Sequence, residues 1–128
     1  TADYLVGETI AEGNFGRIVL ATHKASKTQV VIKAITKQST RKYPHLVPTV
    51  LTEQRLLKKW RDSDYIVSLL ASFHDQECLY MVMECCRGGT LKNLIQINNT
   101  TNPMNDISVS HYGLQIISAI EFIHSHKV

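Results

Sequence analysis

Cysteine is scarce in this chain, charge of either sign hardly dominates, and no long apolar run interrupts it. The three cysteines, Cys78, Cys85 and Cys86, form neither an even-numbered disulfide framework nor a metal-ligand spacing. Free thiols in a reducing cytosol are the expectation, with a cytoplasmic or nuclear setting. No apolar stretch approaches the ~18 residues of a membrane span, so none is expected. A net charge of +3 is too weak to argue for a nucleic-acid partner. The opening Thr1-Ala2-Asp3-Tyr4 lacks the basic and apolar regions of a secretory leader. It also lacks Met, which reads as a piece of a longer protein. Six histidines are scattered without a carboxylate partner at ligand spacing, so no metal site is expected within these residues. What remains, 128 residues with 44% hydrophobic and 20% charged side chains, is the size and composition of one globular domain.

Strand-like composition comes in three blocks before residue 36. Tyr4 to Ile10 and Arg17 to Thr22 flank the turn Ala11-Glu12-Gly13-Asn14-Phe15-Gly16, a hairpin reading. Thr28 to Ile35 is rich in β-branched residues and fits a third strand. A basic, polar connection from Lys37 to Lys42 follows. Pro48 suits the first turn of a helix, where its missing N–H is not needed. Leu51, Leu56, Leu57 and Trp60 then recur at roughly helical spacing with Glu53 among them. Tyr65 to Phe73 and Leu79 to Glu84 read as two more strands joined by the polar turn His74-Asp75-Gln76-Glu77. The result is an α+β layer of five strands and one helix. After Gly88-Gly89, Thr90 is placed to cap a helix carrying Leu91, Leu94 and Ile95. Asn98 to Asn105, with Pro103, reads as a loop. Asp106 or Ser108 then caps a last helix whose stripe is Tyr112, Ile116, Ile120 and Ile123, with Ile117 beside it.

Three features in this order carry chemistry. A glycine-bearing turn lets the main chain bring its N–H groups close to anionic oxygens. Lys33 closes the strand Val30-Val31-Ile32-Lys33, and Glu53 follows twenty residues later inside the helix, an acidic partner able to orient the ammonium. The apolar strand Leu79 to Glu84 then runs into Cys85-Cys86-Arg87-Gly88-Gly89-Thr90-Leu91.

Together these resemble the N-terminal lobe, hinge and first two C-lobe helices of a eukaryotic protein kinase, over nearly the whole chain. The wording from Leu79 to Leu91 resembles the Ser/Thr kinases of the cyclic-nucleotide-dependent and C-type group. The resemblance implies a five-stranded antiparallel sheet with one packed helix, followed by two helices of the C-lobe. Residues 1–86 would be the N-lobe, 84–90 the hinge, and 90–128 the start of the C-lobe. It implies transfer of the ATP γ-phosphate to hydroxyls of a protein substrate, with Mg2+ as the metal. Lys33 would position the phosphates and Glu53 would anchor Lys33. Ile10, Ala11, Glu12, Gly13, Asn14, Phe15 and Gly16 would cover the nucleotide. Ile18 and Val31 would sandwich the adenine, Met83 would stand at the back of its pocket, and main-chain groups of Glu84 and Cys86 would meet its edge. Thr90 would lie just beyond. Leu57 and Leu69 would join a regulatory apolar stack.

Departures from the family pattern are equally visible. Ala11 stands where the first loop glycine is expected, Ile18 where valine is, and Val31 where alanine is. Overpacking of the kind Val31 would cause typically costs ~1–3 kcal/mol. Ala11 and Val31 are what would favour the rival reading, a pseudokinase lobe serving as an interaction or allosteric module. The resemblance runs out at Val128, before the family's His-Arg-Asp loop and Asp-Phe-Gly segment. The base and the magnesium ligands are therefore expected elsewhere in the parent, the rest of the C-lobe is expected to be required, and these residues alone are expected to be inactive and marginally stable.

Overall fold

The computed structural model describes residues 2–13, 16–101 and 104–126. Asn14 and Phe15, expected at the tip of the glycine turn, lie outside them. Contacts divide the chain into two compact units, Thr1–Cys85 and Cys86–Val128.

The first unit is a five-stranded antiparallel sheet with strand order β1-β2-β3-β5-β4. Its strands are β1 (Tyr4–Gly13), β2 (Gly16–His23), β3 (Gln29–Thr36), β4 (Leu69–His74) and β5 (Cys78–Glu84). The β-branched run of β3 makes it the central strand, and its alternate side chains serve two separate cores. On one face Val19, Ala21, Val30, Ile32 and Val82 pack together, with Tyr4, Phe73 and Tyr80 against them. On the other face Ile35, Leu69 and Met81 pack with Leu57 of a helix. A register shift between Leu69 and Ala71 lets these two residues serve opposite cores, although they are two apart in sequence.

Two helices, not one, stand between β3 and β4: α1 (Lys37–Lys42) and α2 (Leu46–Lys59). The expected polar connection at 37–42 is helical because Thr36, in extended conformation, accepts a hydrogen bond from the Ser39 N–H through its side chain. Arg41 and Lys42 sit in its last turn, where cations favour the helix dipole. In α2 Pro48 is the third residue rather than the first, since Leu46 and Val47 already bond back to Tyr43 and Pro44. This still leaves Pro48 within the first turn, where no N–H is required. Residues 65–68, expected in the fourth strand, are not strand. Ile66 N–H closes a turn on the Ser63 carbonyl, and the Ser68 hydroxyl bonds the Arg61 carbonyl.

The second unit holds α3 (Leu91–Thr101) and α4 (Asp106–Ser125). Thr90 caps α3 as expected, its hydroxyl oxygen accepting from the Asn93 N–H at 3.1 Å. The helix continues through Asn98 to Thr101, which the polar composition had marked as loop. The cap of α4 is Asn105, whose side chain accepts from the Ser108 N–H at 2.8 Å, and not Asp106 or Ser108. Asp106 instead occupies the first turn, where its charge suits the dipole. No described residue of α4 is buried, and Ile107, Leu114 and Ile117 are exposed.

Candidate functional site

Antiparallel register decides which side chains of the sheet share a face, because residues directly opposite one another project the same way. Ile18, Lys33 and Met81 form one such row across β2, β3 and β5. Leu20, Val31 and Met83 form the next. Four residues singled out from the sequence, Ile18, Val31, Lys33 and Met83, therefore emerge on one face. It is the face on which α2 packs, since Met81 and Met83 join Leu57 in the second core.

Glu53 and Leu57 are one turn apart on α2 and project together. With Leu57 fixed in the core, Glu53 is held over β3. The Lys33 ammonium donates to both oxygens of its carboxylate, at 2.7 Å to Oε1 and 2.8 Å to Oε2. The two side chains retain 29% and 35% exposure, so the pair is only partly desolvated. A second tie locks the helix laterally, from Gln54 Nε2 to Ser72 Oγ of β4 at 2.7 Å.

Beside Lys33 the end of the β1–β2 hairpin borders an open cavity of about 270 Å³. Ala11, Gly13, Gly16, Ile18, Lys33 and Ile35 are among its lining residues. The two glycines differ in what they answer to. Gly16 has φ +151°, and an added Cβ would overlap the Ala34 carbonyl oxygen, so the fold itself demands it. Gly13 has open space where a Cβ would stand, and no packing among the described residues calls for its small size. Ile10, Ala11 and Glu12 are exposed along the edge strand β1, Ala11 opposite Ile18 and Glu12 opposite Arg17. Val31, larger than the expected alanine, is accommodated half-buried between Leu20 and Met83.

The end of β5 is tied to a residue that the sequence reading passed over. Glu84 N–H donates to the Ser68 carbonyl at 3.1 Å, and the Glu84 carboxylate accepts from the Ser68 N–H at 2.7 Å. No spacing or motif in the chain signals this contact. Cys86 and Thr90 belong to the second unit, both exposed, with the Thr90 hydroxyl engaged in its capping bond. Among the described residues no group of three or more His, Cys, Asp or Glu side chains stands together as a metal site.

A lysine and a helix carboxylate joined by two short contacts, beside a glycine hairpin, is the arrangement that the kinase resemblance requires. The family model for the protein kinase domain matches residues 4–128. The chain belongs to the protein kinase family. Among its kinase relatives is the serine/threonine-protein kinase PKH2 of Candida albicans, 30% identical over 126 residues. That match covers 98% of this chain and 13% of the relative. An Aurora kinase of Candida glabrata is 30% identical over 126 residues, covering 98% of this chain and 34% of its own. A probable serine/threonine-protein kinase of Dictyostelium discoideum is 32% identical over 126 residues, covering 98% and 26%. The kinase segment thus spans between about an eighth and a third of these relatives' lengths. Among the described residues no helix is long and apolar enough to cross a membrane.

Proposed function

We propose that this chain is the ATP-binding part of a serine/threonine protein kinase, which transfers the γ-phosphate of ATP to hydroxyl groups of a protein substrate. The observation that carries the proposal is the two-contact Lys33–Glu53 ion pair beside the glycine-lined cavity. In this reading residues 1–86 form the N-lobe, 84–90 the hinge, and 90–128 the start of the C-lobe.

Each residue then has a physical task. The carboxylate of Glu53 holds the ammonium of Lys33 over the cavity, where it meets the α- and β-phosphates. A fixed cation stabilises charge without reorganising as the reaction proceeds. The hairpin end, residues 11 to 16, supplies main-chain donors above the phosphates. Gly13 fits this role because open space stands where its Cβ would be, which a closely approaching phosphate would use. Ile10, Ile18, Val31 and Met83 enclose the adenine. The Glu84 N–H is already committed to Ser68, so what this residue offers the adenine edge is its carbonyl. Cys86 supplies an N–H, and Thr90 lies beyond it. Mg2+ would neutralise charge on the phosphates when bound. In this reading its ligands come from the rest of the C-lobe.

The test is MgATP binding and protein phosphorylation by the full-length protein, wild type against Lys33→Met. Binding and turnover in the wild type, with turnover lost in the variant, support the kinase. Wild-type protein that binds MgATP but phosphorylates nothing would overturn the catalytic part of the proposal. Wild-type protein that does not bind MgATP would overturn all of it.

A further inference from the structure

Ser68 makes three hydrogen bonds that run from the foot of α2 to the end of β5. Its hydroxyl donates to the Arg61 carbonyl at 2.9 Å, two residues past the last turn of α2. Its carbonyl accepts from Glu84 N–H at 3.1 Å, and its own N–H donates to the Glu84 carboxylate at 2.7 Å. The last two bonds close a ring between the residues, so Glu84 is held through its main-chain N–H and through its side chain together. One of these bonds has an ionised acceptor, the stronger kind. We propose that the Ser68–Glu84 clamp positions the adenine-recognising edge and couples it to the helix that carries Glu53. Ser68 and the Glu84 side chain are thus positioning residues, and the inference rests on the nucleotide-site reading above.

The physical case is one of preorganisation. Glu84 is the last residue of β5, opposite Val30 of β3, and beyond it the chain leaves the ladder. Its side chain is exposed, so burial does not hold it either. Without the clamp its carbonyl would sample several directions, and nucleotide binding would then carry the cost of ordering it. With the clamp, the carbonyl is aimed in advance. The Arg61 bond extends the same constraint to α2, whose position sets Lys33 through Glu53.

The test uses the full-length protein with two probes, MgATP and adenosine. Adenosine has no phosphates, so it reports the edge without Lys33. Glu84→Ala is expected to weaken both probes by about 3- to 10-fold. Glu84→Gln, whose amide oxygen can still accept from the Ser68 N–H, is expected to recover part of the loss. Ser68→Ala keeps the main-chain bonds and is expected to cost about 2- to 3-fold for both probes. The double variant Ser68→Ala/Glu84→Ala is expected to lose less than the product of the two. Lys33→Met should weaken MgATP alone. Unchanged adenosine affinity in Glu84→Ala and Ser68→Ala, with only a lowered melting temperature, would make the clamp merely structural and overturn the inference. It would leave the nucleotide site standing. A wild-type protein that binds neither probe would overturn the site itself, and the inference with it.

Discussion

Removing the negative charge at Glu53 should cost activity by an amount that the ion-pair geometry bounds. At 2.7 Å and an effective dielectric constant near 20, two unit charges attract by roughly 6 kcal/mol before desolvation is counted. Both side chains keep about a third of their exposure, so water screens much of this and part of the hydration is retained. Exposed pairs are worth about 0.2–1 kcal/mol, and breaking fully buried ones costs about 3–5 kcal/mol. A partly buried pair with two contacts belongs between these, near 1–2 kcal/mol. Glu53→Gln leaves a neutral acceptor and frees Lys33, whose side chain carries about 2 kcal/mol of rotamer entropy. The expected loss in kcat/KM for protein phosphorylation is therefore about 5- to 30-fold. Lys33→Met removes the cation itself, for which a loss of about 100- to 1,000-fold is the scale. Because Glu53 acts through Lys33, the double variant should be no worse than Lys33→Met by more than about twofold. Steady-state phosphorylation by the full-length protein measures all three, with circular dichroism to establish folding. If the two single losses multiply in the double variant, Glu53 has a task independent of Lys33 and the positioning argument fails.

Three further outcomes follow from the first unit. Gly16→Ala should destabilise by about 1–3 kcal/mol, since its Cβ would meet the Ala34 carbonyl in a backbone region that L-residues avoid. Gly13→Ala should cost less in urea denaturation, and equal losses would contradict the distinction. Ile32→Ala, at a position 2% exposed and packed with Val82, should lose about 2–5 kcal/mol by the same method. Asp75 accepts hydrogen bonds from Cys78 N–H, the Tyr80 hydroxyl and Glu77 N–H, which hold its carboxyl below the ordinary value of 3.8. A carboxyl lowered on folding stabilises above its unfolded value, and the benefit vanishes as pH falls through the folded one. Wild type should therefore lose melting temperature more steeply than Asp75→Asn below about pH 4, and parallel curves would show that these bonds carry no such linkage.

The parts of the fold that were legible in the sequence are those with a strong local period or a residue that has one use. β3 announces itself by β-branched residues, and the Lys33–Glu53 pair by a motif in which each residue matters only if the other is present. The missed parts depend on single polar contacts that leave no periodic trace. α1 is six residues long with no apolar stripe, and hangs on the Thr36 cap and on Lys37, which donates to the Asp75 carbonyl and bonds Glu77. Residues 65–68 have strand-like composition, yet the Ser68 contacts claim them. The boundary of α3 went astray because asparagine and threonine disfavour helix interiors only weakly. Gly13 and Gly16 look alike in sequence, and only the tertiary approach of Ala34 separates a glycine the fold needs from one it does not.

How the ion pair comes to be so well aligned is a question about packing before it is one about charge. A partly buried ion pair worth about 1–2 kcal/mol has little power to place a helix by itself. Apolar burial has that power: Leu57 and Trp60 are 8% and 7% exposed. Burying a side chain of this kind contributes roughly 1.5–3 kcal/mol. Leu57 shares one core with Ile35, Leu69 and Met81, which are drawn from three different strands. Ile35 lies two residues beyond Lys33 on the same face of β3, and Leu57 lies one turn beyond Glu53 on the same face of α2. Burial of Leu57 in the core that also holds Ile35 therefore sets the rotation of the helix about its axis, and the charged pair falls into register beside it. Substituting Leu57 should consequently disturb the Lys33–Glu53 alignment although it touches neither charge.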